Sequence, residues 1–331
     1  MNTVKYIFRR YEEMCRIYIG EKNYLVKSFY FIDWLVAMIV YGASVSDYFA
    51  YGFYEKRANG RRKYITYRKH KKIQKICNDR KCIEICRNKL KFNEYFSDCL
   101  GREWMDLEKT DYDAFKDFVI KYDCFFVKDV EGFRGIGTTK YNTKECDLPS
   151  LYSMLRGNKD AHFIVEEPLS QIGALSEFHP WSINTIRIVT VYDTISGEVH
   201  IMNARIRMGN HKNSVDNFHF AGIGANIDVA SGVIDSVGYN VCNEIFIQHP
   251  LTGKQIIGVQ IPYWNECKSF IIACAKKIPK VRYIGWDIVI KDDSQFILLE
   301  ANDNADHDFQ QLHYKGLWKE YKNILKVVKK Q

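Results

Sequence analysis

The stretch "FILLEANDN", residues 296–304, begins as a strand should and ends as a cluster of oxygen donors. Phe296, Ile297, Leu298 and Leu299 are apolar, and Glu300, Asn302, Asp303 and Asn304 follow within five residues. Working outward, "GWDIVIKDDSQFILLEAN" (285–302) has two β-rich runs around a polar turn at 291–294, the pattern of a hairpin. Side chains alternate along a strand, so Glu300 and Asn302 share a face. A turn centred between Asp293 and Ser294 places Asp287 opposite Glu300. Like charges paired across strands are destabilising by up to about 1 kcal/mol, so stability alone gives no reason for the pair. A divalent cation would turn the repulsion into coordination. The all-oxygen set Asp287, Glu300 and Asn302 suits Mg²⁺. The competing reading is an ordinary polar hairpin end in solvent.

Two further stretches bear on phosphate chemistry. "CFFVKDVEGFRGIGTTKY" (124–141) carries Lys128 at the end of an apolar strand, then Gly132, Gly135 and Gly137. Glycines permit positive φ and let backbone N–H groups approach phosphate oxygens. A Walker A loop puts its lysine after the last glycine and opens a helix. Here the lysine comes first, and "GTTKY" reads as a returning strand. The HRD and DFG tripeptides that accompany a protein-kinase glycine loop do not occur. A hairpin flap over phosphates fits better. In "FIVEEPLSQ" (163–171) an apolar strand runs into Glu166, Glu167 and Pro168, and offers carboxylates and free backbone groups.

The rest of the chain sets the frame. With 331 residues, 47% of them hydrophobic, it can bury a large core in two or three units. No repeat and no long low-complexity segment is present. The first residues, "MNTVKYIFRRYEEMC", hold no signal-peptide apolar core. The apolar run 29–41 is shorter than the roughly 20 residues that span a bilayer, so it is expected to be a buried helix. Ten cysteines without a CxxC pair point to reduced thiols, and Cys82 and Cys86 to core packing. Residues 56–91 hold fifteen Lys/Arg against two acids, a net of +13 in a chain whose total is +8. Such a block attracts anions, unless it is simply a solvated helix face. Residues 1–105 read as a helical, basic region, with helices over 2–19, 24–42, 68–86 and 89–100. From 106 short β-rich runs take over, giving an α+β class with mostly antiparallel strands.

The motifs come in a specific order: strand–Lys–Gly flap, strand–Glu–Glu linker, "SINTIRIVT" (182–190), then the Asp and Glu-x-Asn hairpin. That order resembles the ATP-grasp superfamily. "SINTIRIVT", "VDNFHFAGIGANID" and "LEANDNADHDFQ" narrow the resemblance to the ATP-grasp proteins found with sugar-transfer and surface-polysaccharide genes, over about 45–315. The resemblance implies two α+β lobes gripping ATP, with 106–331 as the ATP-grasp domain. It implies Mg²⁺ on Asp287, Glu300 and Asn302, and phosphate contacts from Lys128 and the flap residues Gly135 and Gly137. Adenine would meet Glu166 or Glu167 and the backbone of Leu169. An upstream nucleotide lysine maps to Lys89 in "RNKLKF", with Lys91 as the alternative. Asn88 stands there where the family often has Asp, and "NDNADH" replaces the usual Asn-x-Pro-Gly, so the acceptor side is expected to differ.

Arg187 sits mid-strand, and Arg205 and Arg207 share a face in "NARIRM". With Lys128, Arg187 and Arg205 are the expected catalytic cations, clamping phosphate or a substrate carboxylate. Asn217 and "AGIG" would add contacts, and His179 is read as structural. The expected activity is an ADP-forming ligase that joins a carboxylate to an amine through an acyl phosphate, on a sugar or surface-glycan precursor. A sugar kinase on the same scaffold is the alternative, with Asp303 or Asp306 as base. A nucleic-acid-binding protein would explain 56–91 but not the acidic hairpin. The expected partners are a small-molecule or glycan carboxylate and an amine co-substrate. The expected location is the cytoplasm, with the basic block holding an anionic glycan or resting on the inner membrane face.

Overall fold

The computed structural model describes residues 3–132, 137–210, 222–291 and 295–328. The chain opens with α1 (Thr3–Ile19), α2 (Tyr24–Tyr41), α3 (Val45–Ala50) and the short α4 (Ala58–Arg61). Asn23 caps α2 by accepting from the Val26 N–H at 3.0 Å, and Gly42 ends it at φ +69°. Tyr11, Met14, Trp34, Ala37, Tyr48, Phe49 and Phe53 form one local core. The expected burial of the 29–41 run is corrected here. Only Trp34 and Ala37 of α2 are buried, and Leu25, Phe29, Ile32, Val36, Ile39 and Val40 are exposed. Apart from Asp33 the run is apolar, but α1 and α3 cover only its Trp34 side.

Next come α5 (Tyr67–Cys77), α6 (Glu84–Arg87) and α7 (Lys89–Tyr95). α5 buries His70, Ile73 and Cys77 on one face and leaves its lysines outside. Its pattern suggested helix to 86. It stops at Cys77 because the Asn78 side chain leaves to hold β-structure, accepting from the Tyr283 N–H (2.8 Å) and donating to the Tyr283 carbonyl (2.9 Å).

A small sheet contains β1 (Trp104–Asp106), β2 (Cys124–Asp129), β3 (Thr138–Asn142) and β4 (Phe163–Glu166) in the order β1-β4-β2-β3, all antiparallel. α8 (Tyr112–Val119) and α9 (Leu148–Gly157) close it over Phe115, Phe125, Val127, Leu151 and Val165. After α10 (Gly173–Ser176) comes a seven-stranded sheet. Its strands are β5 (Thr185–Asp193), β6 (Glu198–Met208), β7 (Ile223–Ile227), β8 (Gly238–Tyr239), β9 (Ile245–Phe246), β10 (Tyr283–Ile290) and β11 (Phe296–Asn302). Their order is β11-β10-β5-β6-β7-β8-β9, again antiparallel throughout. Between β9 and β10 lies α11 (Trp264–Lys277), and α12 (Trp318–Val328) ends the described chain.

The two faces of the large sheet explain where a site can form. Ile186, Ile188, Ile284, Trp286 and Ile288 pack in one core with Ile271 and Cys274 of α11. On the other face Val189, Val191 and Tyr283 pack with Ile73 of α5 and Tyr321 of α12. With both faces covered, β5 and β10 read as near-continuous apolar runs. Arg187 and Asp287 lie farther along the second face, where they line the cleft. The expected α+β class with antiparallel sheets and a helical N-terminal region is what the chain adopts.

Candidate active site

The cleft has a volume of about 1150 Å³ and is lined from both sheets. Its floor is a cross-strand row. Asp287 on β10 pairs in register with Glu300 on β11 and with Arg187 on β5, and Arg187 pairs with Arg205 on β6. The Asp287–Glu300 pairing is the one read from the sequence, while nearer the turn the register is shifted by one residue. Asp287 is buried and fully engaged: the Arg187 Nη2 donates to its Oδ2 at 2.9 Å and the Arg187 Nε approaches Oδ1. Arg207 Nη2 lies 2.6 Å from Oδ2, and Asn302 Nδ2 donates to Oδ2 at 3.3 Å. Burial alone would raise the Asp287 carboxyl, but Arg187 and Arg207 outweigh it and hold it low. Glu300 goes the other way. Burial and the neighbouring Asp287 charge raise it, against a weaker pull from Arg187, Arg207 and Lys89. Among the described residues Glu300 has no ion-pair partner, and no three His, Cys, Asp or Glu side chains form a metal cluster. The donor set is therefore two carboxylates and one amide.

A bulge between Asp287 and Ile288 shifts the β10–β11 register at Leu299. The carbonyls of Leu298 and Leu299 both accept from Arg102, just before β1. Arg102 also reaches Glu166 at the end of β4, with Nη2 donating to Oε1 at 3.3 Å, and Asn93 Oδ1 at 3.1 Å. It thus ties the two sheets together at the back of the cleft. Glu166 takes a second cation, Lys128 Nζ, at 2.6 Å. Burial would raise the Glu166 carboxyl, but Arg102 and Lys128 bring it down to about 2.

The flap is the β2–β3 hairpin, with Lys128 paired to Thr138. Gly137 has φ +78°, and a Cβ there would meet the Asp129 Cβ at 2.9 Å, so this turn requires glycine. Gly135 lies outside the described residues, as does Asn217. Lys89 opens α7 and points into the cleft, where its Nζ donates to the Asp129 carbonyl (2.8 Å) and to the Gly132 carbonyl. Burial pushes its ammonium down. Lys91 turns away to pair with Glu84.

Several expected contacts are otherwise engaged. Glu166 is held by Arg102 and Lys128, and so is not a free acceptor for an adenine edge. Glu167 Oε1 accepts from the Glu103 N–H at 3.1 Å. Leu169 lines the cleft, and among the described residues its backbone takes no partner. Arg205 does not reach the cleft. It is fully buried, donates from Nη2 to the carbonyls of Gln310 (2.9 Å) and Leu312 (3.3 Å), and sits over the rings of Tyr239, Phe309 and Tyr314. Of the two β6 arginines it is Arg207 that lines the cleft, and its Nε donates to Thr185 Oγ1 at 3.0 Å. Asp303 is taken by a bidentate pair with Arg87 at 2.9 and 2.8 Å, and Asp306, also in the cleft, has its Oδ2 3.9 Å from Arg187 Nη1. His179 is buried with Nδ1 on Ser182 Oγ, a structural role. Sequence reading missed Arg102 and Trp181. Neither lies in a motif, and only the fold brings them to the cleft.

Solved structures similar to this chain include the ATP-grasp ligase PsnB complexed with minimal precursor, Mg and ADP. It is 15% identical, with 77% of this chain and 62% of that chain covered and a TM-score of 0.47. D-cycloserine synthetase DcsG is 9% identical over 74% of this chain and 71% of that chain, with a TM-score of 0.46. N5-carboxyaminoimidazole synthase from Aspergillus clavatus, in complex with ADP and a ribonucleotide, is 12% identical over 73% and 54%, with a TM-score of 0.42. This chain spans less than two thirds of the length of PsnB. No curated protein matches the sequence. The family described as sugar-transfer associated ATP-grasp matches residues 53–326, the range that holds both sheets and every cleft residue named above, and the chain belongs to that family.

Proposed function

We propose that the cleft binds ATP with Mg²⁺ and uses it to activate a carboxylate for attack by an amine. The observation that carries this reading is the cross-strand pair of buried Asp287 and half-buried Glu300, facing the same cleft as Lys128, Lys89 and the flap. The residues fit the ion. Two carboxylates and an amide suit a hard cation, and the Glu300 carboxyl is raised above its ordinary range by desolvation and by the Asp287 charge, which a bound cation would offset. Asp287 and Glu300, with the Asn302 amide oxygen, would hold Mg²⁺. When bound it neutralises phosphate charge.

The protein's own groups supply position and charge. Lys128 and Lys89 reach the flap side, where phosphates would lie, and the free backbone of Leu169 suits an adenine edge. Arg187 and Arg207 are anchored through Asp287, and their outer faces line the acceptor side with Trp181, Thr185 and Asp306. A substrate carboxylate held there attacks the γ-phosphorus, the bond to the bridging oxygen breaks, and ADP leaves. An amine then attacks the acyl carbon, the carbon–oxygen bond to phosphate breaks, and the proton lost from nitrogen passes to the departing phosphate. Phosphoryl transfer needs mainly positioning and charge neutralisation, which the site provides without a covalent nucleophile. The substrate reading is a carboxylated sugar or glycan precursor joined to an amino compound.

The test incubates the protein with ATP, Mg²⁺ and paired carboxylate and amine libraries. Equal ADP and free phosphate, dependent on both partners, is the expected result. AMP with pyrophosphate would contradict it. ADP with phosphate retained on product would favour a hydroxyl acceptor and Asp306 as base.

A further inference from the structure

The least accommodated surface lies outside the cleft, on α2. Leu25, Phe29, Ile32, Val36, Ile39 and Val40 are exposed, Leu25 at 82% and Ile39 at 69%. At 3.6 residues per turn these six fall within about 100° of arc and run for about 22 Å. No charged residue interrupts the stripe. Phe8 of α1, also exposed, lies beside it, stacked on Phe31 at 5.4 Å. A continuous apolar surface of this kind marks an interaction site rather than ordinary solvent exposure.

The basic block explains what covers it. α5 exposes Tyr67, Arg68, Lys71, Lys72 and Lys75 on one face. That face is joined to the end of the stripe, because Arg68 Nη2 donates to the carbonyls of Ile39 (3.0 Å) and Val40 (3.1 Å). An apolar stripe therefore passes directly into a cationic face. We infer that α2 lies in the interfacial plane of an anionic lipid bilayer, its stripe among the acyl chains and the α5 face against the headgroups.

The geometry sets the depth. α2 does not cross the membrane while folded as here. Its 18 residues are marginal for a span, and its opposite side is packed through Trp34 and Ala37. Asp33, midway along, is held by Arg61 at 2.6 Å and by the Tyr48 hydroxyl at 2.7 Å. A second copy of the chain is a poorer occupant. Parallel two-fold pairing of the stripes would bring the cationic α5 faces together, and antiparallel pairing would leave both faces without an anionic partner. The inference is independent of the nucleotide reading.

The full chain is tested by flotation with phosphatidylcholine vesicles and with vesicles of three parts phosphatidylcholine to one part phosphatidylglycerol. It should float with the anionic vesicles and bind neutral ones roughly tenfold or more weakly. Ile32→Glu/Val36→Glu, at exposed positions, should abolish flotation while circular dichroism and melting stay as in the wild type. Lys71→Glu/Lys72→Glu should remove the anionic preference and leave weak binding to both. Folded wild type that floats with neither vesicle overturns the inference. So does a dimer that Ile32→Glu/Val36→Glu dissolves, if the wild type shows no flotation.

Discussion

Asp287 and Glu300 face each other across β10 and β11, yet only Asp287 holds arginines, and the two carboxyls are displaced in opposite directions. Asp287 is held by two direct ion pairs, whereas Glu300 has none among the described residues and is raised by desolvation and by the Asp287 charge. A stable hairpin has no use for that arrangement, whereas a cation site does.

The raised acid gives a pH signature. In the folded chain Glu300 keeps its proton to higher pH than in the unfolded chain, whose value is near 4.5. Stability should therefore fall as pH rises from about 4.5 through the raised folded value. Glu300→Gln should remove that loss. Without Mg²⁺, it should melt higher than the wild type at pH 7–8 by the equivalent of up to about 1 kcal/mol. A variant that melts lower throughout would show that Glu300 is already compensated.

Glu166 has the opposite sign. Its carboxyl is depressed to about 2, so its contribution is full above pH 4.5 and is lost as pH falls from 4.5 toward 2. Glu166→Gln leaves Arg102 buried without a counter-charge and should destabilise by about 3–5 kcal/mol at pH 7. Acid titration of melting temperature should be shallower in the variant over that window.

The two candidate lysines separate cleanly. Lys89→Ala should weaken binding of an ATP analogue by about ten- to a hundredfold, the loss of one charged contact worth roughly 1.5–3 kcal/mol. Lys91→Ala should leave it unchanged, since Lys91 pairs with Glu84 on the surface. Calorimetric titration of both variants checks this.

The arginines separate in the same way. Arg207→Ala should reduce turnover by about a hundredfold or more, as removal of a positioned charge typically does. Arg205→Met should retain turnover, because Arg205 is enclosed by aromatic rings outside the cleft. Steady-state ADP release, measured beside melting curves, distinguishes catalytic loss from misfolding.

Much of the cleft's strand geometry was legible because it is local. Alternation along β11 and the length of one turn were enough to pair Asp287 with Glu300, and the flap follows from Lys128 and its glycines. The β7–β9 strands were not legible, because glycine-rich segments such as "GIGANIDVASG" carry little β signal of their own. Choosing between Arg205 and Arg207 also failed. They share a strand face, and only the rings of Tyr239, Phe309 and Tyr314 decide which one is sealed away. Burial of α2 was misread because apolar composition does not say whether a partner covers it.

The most direct measurement is the thermal shift produced by a non-hydrolysable ATP analogue with Mg²⁺ in the wild type, Asp287→Asn and Glu300→Gln. A stabilisation of several degrees in the wild type, lost in both variants while each remains folded, is the expected result. A full Mg²⁺-dependent shift in either variant would contradict the placement of the metal between these two carboxylates.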